Sequence, residues 1–229
     1  MTMAQQDQEQ EQDTARVLRA LADDRTAVRL RATMAVGTAP APDYVDTLVV
    51  RCADEPDFQV REMLTWALTR HAPDLTVPAL VGELRSERAQ ARSQALHTLS
   101  KIGDRRAWPA ITRGLLTDAD DEVARSAWRA AVALVPEEQR PELAAVLSTQ
   151  LGRGPRATQL SLSRAMIALG EVIVPSLAAA GTHADPGVRA HALATERLLR
   201  DPEAESAFTV YAIEEAKRVV ALGPDAQEG

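Results

Sequence analysis

The chain has 229 residues, of which 45% are apolar, 26% charged and only 3% aromatic; this suits closely packed helices better than strands, which draw on aromatic and β-branched side chains. Its formal net charge of −7 gathers at the ends: removing Asp7, Glu9, Glu11, Asp13, Asp225 and Glu228 leaves a nearly neutral body, so the overall acidity weakens a nucleic-acid reading without excluding it. No run reaches the roughly 18 apolar residues of a membrane span, and the start of the chain lacks the basic and apolar parts of a signal peptide.

Residues 1–13 read as a disordered acidic, Gln-rich tail. From 14 to 201 the chain repeats itself. An acidic residue, a short gap and an apolar-Arg pair recur at Asp24/Val28-Arg29, Asp57/Val60-Arg61, Glu87/Ala91-Arg92, Asp121/Ala124-Arg125 and Asp185/Val188-Arg189, with a degenerate copy at Thr158-Gln159. The steps between them are 32, 31, 33, 34 and 30 residues, a period that marks stacked supersecondary repeats.

Each repeat reads as a helix pair. The third is clearest: Thr76-Val77-Pro78 opens a first helix, Ser86-Glu87-Arg88 forms the turn, and a second helix runs from Ala91 to Ile102 and ends at Gly103. Pro109 and Pro175 mark first-helix starts in the fourth and sixth repeats, and Gly170 repeats the terminating glycine. Counting from the Arg, offsets −1, +3, +6, +7 and +10 lie on one helical face; Ala32/Ala35/Val36, Leu64/Ala67/Leu68, Ala95/Thr98/Leu99, Trp128/Ala131/Val132 and Leu162/Ala165/Met166 fill its middle. Residues 202–222, with Phe208, Tyr211 and Ile213 beside Glu214, Glu215, Lys217 and Arg218, read as an amphipathic capping helix, and 223–229 as a second disordered tail. The predicted fold is all-α, a solenoid of about six helix pairs.

The run Val77-Pro78-Ala79-Leu80, Ala91-Arg92, Ala95-Leu96, Leu99, Ile102-Gly103-Asp104, with the Asp/Val-Arg turns elsewhere, resembles the HEAT repeat, in the short bacterial form also found in phycobilisome lyases. The resemblance covers 14–201 and implies a right-handed α-solenoid whose second helices line a concave face. It does not imply an activity, because the same repeat serves scaffolds, lyases, a metal-dependent hydroxylase and DNA glycosylases. The HEAT-like hydroxylases carry His-Glu pairs for iron, but here His71, His97, His183 and His191 are followed by Ala, Thr, Ala and Ala. No metal and no cofactor is expected. Nucleophile elbows and glycine-rich phosphate loops are missing, and Cys52, the only cysteine, reads as a small buried hydrophobe in a reducing, cytoplasmic setting. Two lysines among 26 basic residues point to a GC-rich bacterial coding sequence.

Arg29, Arg61, Arg92, Arg125 and Arg189 are expected to form a structural ladder of Arg–Asp and Arg–carbonyl hydrogen bonds between stacked turns. Opposite the core face, at offsets +1, +5 and +8, the first five repeats carry few charges, whereas a merely solvated face would be rich in Glu, Lys and Arg. Leu30, Met34, Trp66, Leu160 and Ile167 form an apolar stripe there, joined by Glu62, His97, Arg129 and Arg164. The expected function is a non-enzymatic scaffold or adaptor that binds a protein segment, such as an amphipathic helix, in this groove, with Trp66, Met34 and Leu160 as anchors. Two alternatives are nucleic-acid binding or base repair through Trp66 with Arg129, Arg164 and Arg197, and a tetrapyrrole-lyase-like role.

Overall fold

The computed structural model describes residues 3–201 together with 217, 218 and 220, and side chains from Gln12 onward. Among these residues every regular element is a helix. The chain divides into two compact units, Met1–Ala110 and Ile111–Gly229. The first holds α1 (Met3–Leu21), α2 (Thr26–Thr38), α3 (Val45–Asp54), α4 (Phe58–Arg70), α5 (Pro73–Glu83) and α6 (Ala89–Ile102). The second holds α7 (Arg113–Leu116), α8 (Asp121–Leu134), α9 (Arg140–Ser148), α10 (Arg156–Ile167), α11 (Val174–Ala180) and α12 (Pro186–Arg200). Within the first unit α4 packs between α2 and α6 while α3 lies against α5; within the second, α10 packs between α8 and α12 while α9 lies against α11. Second helices thus stack on second helices and first on first.

Several elements differ from the sequence reading. Helix α1 starts at Met3 and runs through most of the stretch read as a tail; its Ala, Gln and Glu residues are good helix formers. Helix α5 begins at Pro73, so Pro78 lies inside it and not at its start. Pro109 opens no α-helix. It sits in a 3-10 turn, Arg105–Ala110, and α7 begins only at Arg113, with Thr112 as its N-cap, and runs for four residues. Gly103 does end α6, with φ of 72°, in the left-handed region that favours glycine. The capping helix read at 202–222 and the tail at 223–229 lie outside the described residues, apart from 217, 218 and 220.

The recurring Asp-to-Arg motif builds the turn between the two helices of a repeat. Asp57, Asp120 and Asp185 are N-caps: each carboxylate accepts from the second and third backbone N–H groups beyond it, at the start of α4, α8 and α12. The arginine then reaches back over the same turn. Arg61 Nη1 donates to the carbonyls of Glu55 and Pro56, both at 2.8 Å; Arg92 does the same to Ser86 and Glu87, and Arg189 to His183 and Ala184. Gln159, in the degenerate copy, makes the equivalent bonds to Gly152 and Gly154. The hooks therefore close a repeat's own turn, where the sequence reading had them joining neighbours.

Arg29 does both. It hooks Asp23 and Asp24 and forms a two-pronged bond, 2.7 Å each, to Glu55 of the following repeat. Glu55 is fully buried and also accepts from Arg51 and from the Asp57 N–H. Burial alone would raise its pKa, but the bonds from Arg29, the Asp57 N–H and Arg51 outweigh it, and the carboxyl titrates below its ordinary range. Arg125 departs from the ladder: its Nη1 donates to the Glu122 carboxylate. The carbonyls of that turn, Asp118 and Ala119, are instead taken by Arg153 from the next repeat, which also holds Asp121.

The core face follows the offset pattern closely in the middle repeats. Val60, Leu64, Ala67 and Leu68 of α4, Ala91, Ala95, Thr98 and Leu99 of α6, and Leu162, Ala165 and Met166 of α10 are buried. Ala35 is exposed, because α2 belongs to the first repeat and has only α1 and α4 packed on it. Trp128 is completely buried, and its indole N–H donates to the Leu116 carbonyl at 2.8 Å. Hydroxyl pairs link neighbouring second helices: Thr65 with Thr98, and Ser163 with Thr195.

His191 of α12 joins the second pair and is itself fully buried. Its Nδ1 accepts from the Gly152 N–H, so the ring proton sits on Nε2, which donates to the Gln159 carbonyl and lies 3.0 Å from Ser163 Oγ. Burial pushes its pKa down to about 4, only partly offset by the Gln159 carbonyl.

Two outcomes are expected. Trp128→Ala should cost about 3–5 kcal/mol in urea unfolding, the sum of a large cavity and an orphaned carbonyl. For His191 the folded pKa lies below the unfolded value, so its contribution is complete above pH 6.5 and is lost as pH falls toward 4. Between pH 7 and pH 5 the native chain should lose about 2 kcal/mol more stability than His191→Gln does. Equal pH slopes for the two proteins would show that this histidine is not held neutral.

Candidate functional site

In the first unit the strip opposite the core face is built by Leu30, Met34 and Gly37 of α2, Glu62, Trp66 and Thr69 of α4, and Ser93, His97 and Ser100 of α6. The 3.6-residue period puts each trio on one side of its helix, and the stacking of α2, α4 and α6 sets the trios side by side. Met34 is 49% exposed and Trp66 37%, both large for apolar side chains, and Leu30 is half-buried beside them.

Trp66 lies across the neighbouring helix. A methyl group at Gly37 would come within 2.2 Å of its ring, so the absence of a side chain at Gly37 is what lets the indole approach α2 so closely. Met34 is one turn before Gly37 on the same face. The resulting apolar platform spans two repeats. On its other side Glu62 Oε1 sits 3.3 Å from His97 Nε2, a link from α4 to α6 that becomes an ion pair when the imidazole is protonated. The nine strip residues include no Arg or Lys.

The second unit treats the same offsets differently. Ser126 and Ala130 of α8 are buried, and Ser126 Oγ accepts from Arg129. Leu160 and Ile167, read as groove anchors, are partly buried against Ala190, Ala194 and Leu198 of α12, together with Leu193 and Val220. They serve packing within that unit and are not open anchors. Arg129, Arg164 and Arg197 are exposed residues of the second unit, whereas Trp66 belongs to the first.

The catalytic possibilities are narrow. Ser163 and His191 have the spacing of a nucleophile and base, but both are fully buried and Nε2 already carries the proton, so the imidazole cannot take one from Ser163. Sequence spacing alone gave no sign of this pair, since the two residues lie 28 positions apart. Cys52 is buried, and burial pushes its thiol pKa up to about 12, far from a reactive thiolate. His71 is buried, with Nδ1 bonded to the Ala67 carbonyl. Among the described residues no group of three His, Cys, Asp or Glu side chains could hold a metal ion, and no helix is long and apolar enough to cross a membrane.

No curated protein matches the sequence. Among solved structures, the complex of CpcE and CpcF of phycocyanin lyase from Nostoc sp. has 18% identity and a TM-score of 0.49, over 88% of this chain and 85% of that one. An engineered protein has 18% identity and a TM-score of 0.45, over 89% of this chain and 97% of that one. The family model of HEAT repeats matches residues 45–133, from the start of α3 almost to the end of α8. That stretch, with its paired helices and hooked turns, is what the chain has in common with HEAT repeats.

Proposed function

We propose that the chain is a non-enzymatic HEAT-repeat adaptor, and that the strip of α2, α4 and α6 in its first unit receives an apolar protein segment. The platform of Trp66 on Gly37, with Met34 one turn away, carries this reading: two repeats cooperate to keep a large ring packed on one side and exposed on the other. A rigid, half-desolvated Trp is the side chain that most often dominates a protein interface. The short hydroxyl side chains of Thr69 and Ser100 leave room for an incoming helix, and Glu62 offers a charge at the margin. A strip without Arg or Lys is a poor match for phosphate groups, which argues against nucleic acid at this surface. The lone buried Cys52 fits a reducing, cytoplasmic setting.

The test is comparative capture from the native host with the wild-type chain, Trp66→Ala and Met34→Glu. Trp66→Ala also removes packing on α2, so Met34→Glu, at an exposed position, separates binding from folding. Both variants should lose the captured protein with affinity falling by about 2 kcal/mol or more, while Met34→Glu keeps the wild-type melting temperature. Capture should also survive high salt, since an apolar contact releases few counterions. Full retention by both variants, or loss of capture at moderate salt in the wild type, would overturn the proposal.

A further inference from the structure

We infer that the segment received by the strip of α2, α4 and α6 carries a lysine or arginine about one helical turn from its apolar anchor, and that Glu62 is the residue that selects it. This rests on the docking role proposed for the strip, and it adds the charge of the occupant.

Glu62 and Trp66 stand four positions apart on α4, so they share one face of the helix and are separated by about 6 Å along its axis. Both open to solvent: the Glu62 side chain is 44% exposed and Trp66 37%. The nearest basic groups leave the carboxylate uncompensated. Arg61, its neighbour in sequence, directs Nη1 to the carbonyls of Glu55 and Pro56. On the α6 side His97 Nε2 is 3.3 Å from Oε1, and that imidazole carries a charge only when protonated. Among the nine strip residues Glu62 is thus the one permanently charged side chain.

A carboxylate one turn from a half-open indole is complementary to one kind of side chain. Lys and Arg join a methylene stem, which covers apolar surface, to a cationic head; a stem laid across Trp66 carries its head toward Glu62, and the ring itself attracts the cation. An acidic residue at the same place would bring like charges together, and a purely apolar one would desolvate the carboxylate without giving it a partner. The occupant is therefore an amphipathic protein segment with an apolar residue for the platform of Trp66 and Met34. Its base lies three or four positions from that residue, the spacing that puts both on one side of a helix.

A displayed library of randomised helical peptides, selected on the immobilised full-length chain, tests this. Selected peptides should combine a large apolar residue with Lys or Arg three or four positions away. Binding of such a peptide, synthesised with a fluorescein label, should weaken about threefold to fivefold when its base is replaced by Gln. On Glu62→Gln the same replacement should have no effect, because the contact is already gone. Glu62→Gln, at an exposed position, should keep the wild-type melting temperature, and Glu62→Asp should restore part of the preference for a base. Peptides that lose binding on Met34→Glu yet show no preference for a base, or whose base counts equally on Glu62→Gln, would overturn the assignment of Glu62 while leaving the docking strip standing. Peptides indifferent to both Met34→Glu and Trp66→Ala would overturn the docking strip, and the assignment with it.

Discussion

Most of the described turns within the helix pairs are closed by a side chain that reaches back over them, as at Arg29, Arg61, Arg92, Gln159 and Arg189. An aspartate caps the second helix from below, and an arginine one turn further on bonds the carbonyls that the first helix leaves behind. Both ends of the turn are satisfied by groups from a stretch of a few residues, so the angle between the helices of a repeat is set locally. Guanidinium suits the task because a single terminal nitrogen, Nη1, carries two N–H groups that reach two carbonyls at once, and it stays charged at any physiological pH. With the angle fixed, the apolar faces at −1, +3, +6 and +7 meet the next repeat in register, and small residues such as Ala67 and Ala95 allow close stacking.

The departures from this scheme are as informative as the copies. Gln159 keeps the hook with an uncharged amide, and Arg153 supplies from the following repeat the bonds that Arg125 does not make. Both substitutions fall in the second unit, whose strip is filled by small buried residues and by Leu160 and Ile167 packed on α12. The first unit keeps regular hooks at Arg29, Arg61 and Arg92 and presents an open apolar platform. Gly37 completes the arrangement by leaving room for the Trp66 ring against α2.

Much of the fold was legible from spacing. The 3.6-residue period and the recurring Asp and Arg identify helix pairs, and Trp128 and Leu162 fall where the period places them. Helix starts were less legible: Pro78 and Pro109 both read as first-turn prolines, yet one lies inside α5 and the other in a 3-10 turn, because proline restricts one backbone angle without saying how far the helix extends before it. The acidic residues read as partners of the arginines, but Asp57 and Asp185 cap backbone N–H groups, a role that the same spacing permits. Among the strip residues the helical face could be read, but exposure could not. Leu160 at offset +1 and Met34 at offset +5 fall on the same helix face, and only packing on α12 separates a covered side chain from an open one. The Ser163–His191 pair left no trace in the sequence because its members come from different repeats.

The account rests on the arginines being structural, with recognition residing elsewhere. Arg92 tests this most directly, since its hook to Ser86 and Glu87 is typical and α6 contributes only His97, Ser93 and Ser100 to the strip. Urea unfolding of Arg92→Ala, with capture measured in parallel, is the decisive measurement. The account predicts a loss of about 1–3 kcal/mol in stability, because two turn carbonyls lose their donor, with capture by the folded protein unchanged. An Arg92→Ala chain that unfolds like the wild type and no longer binds would contradict it.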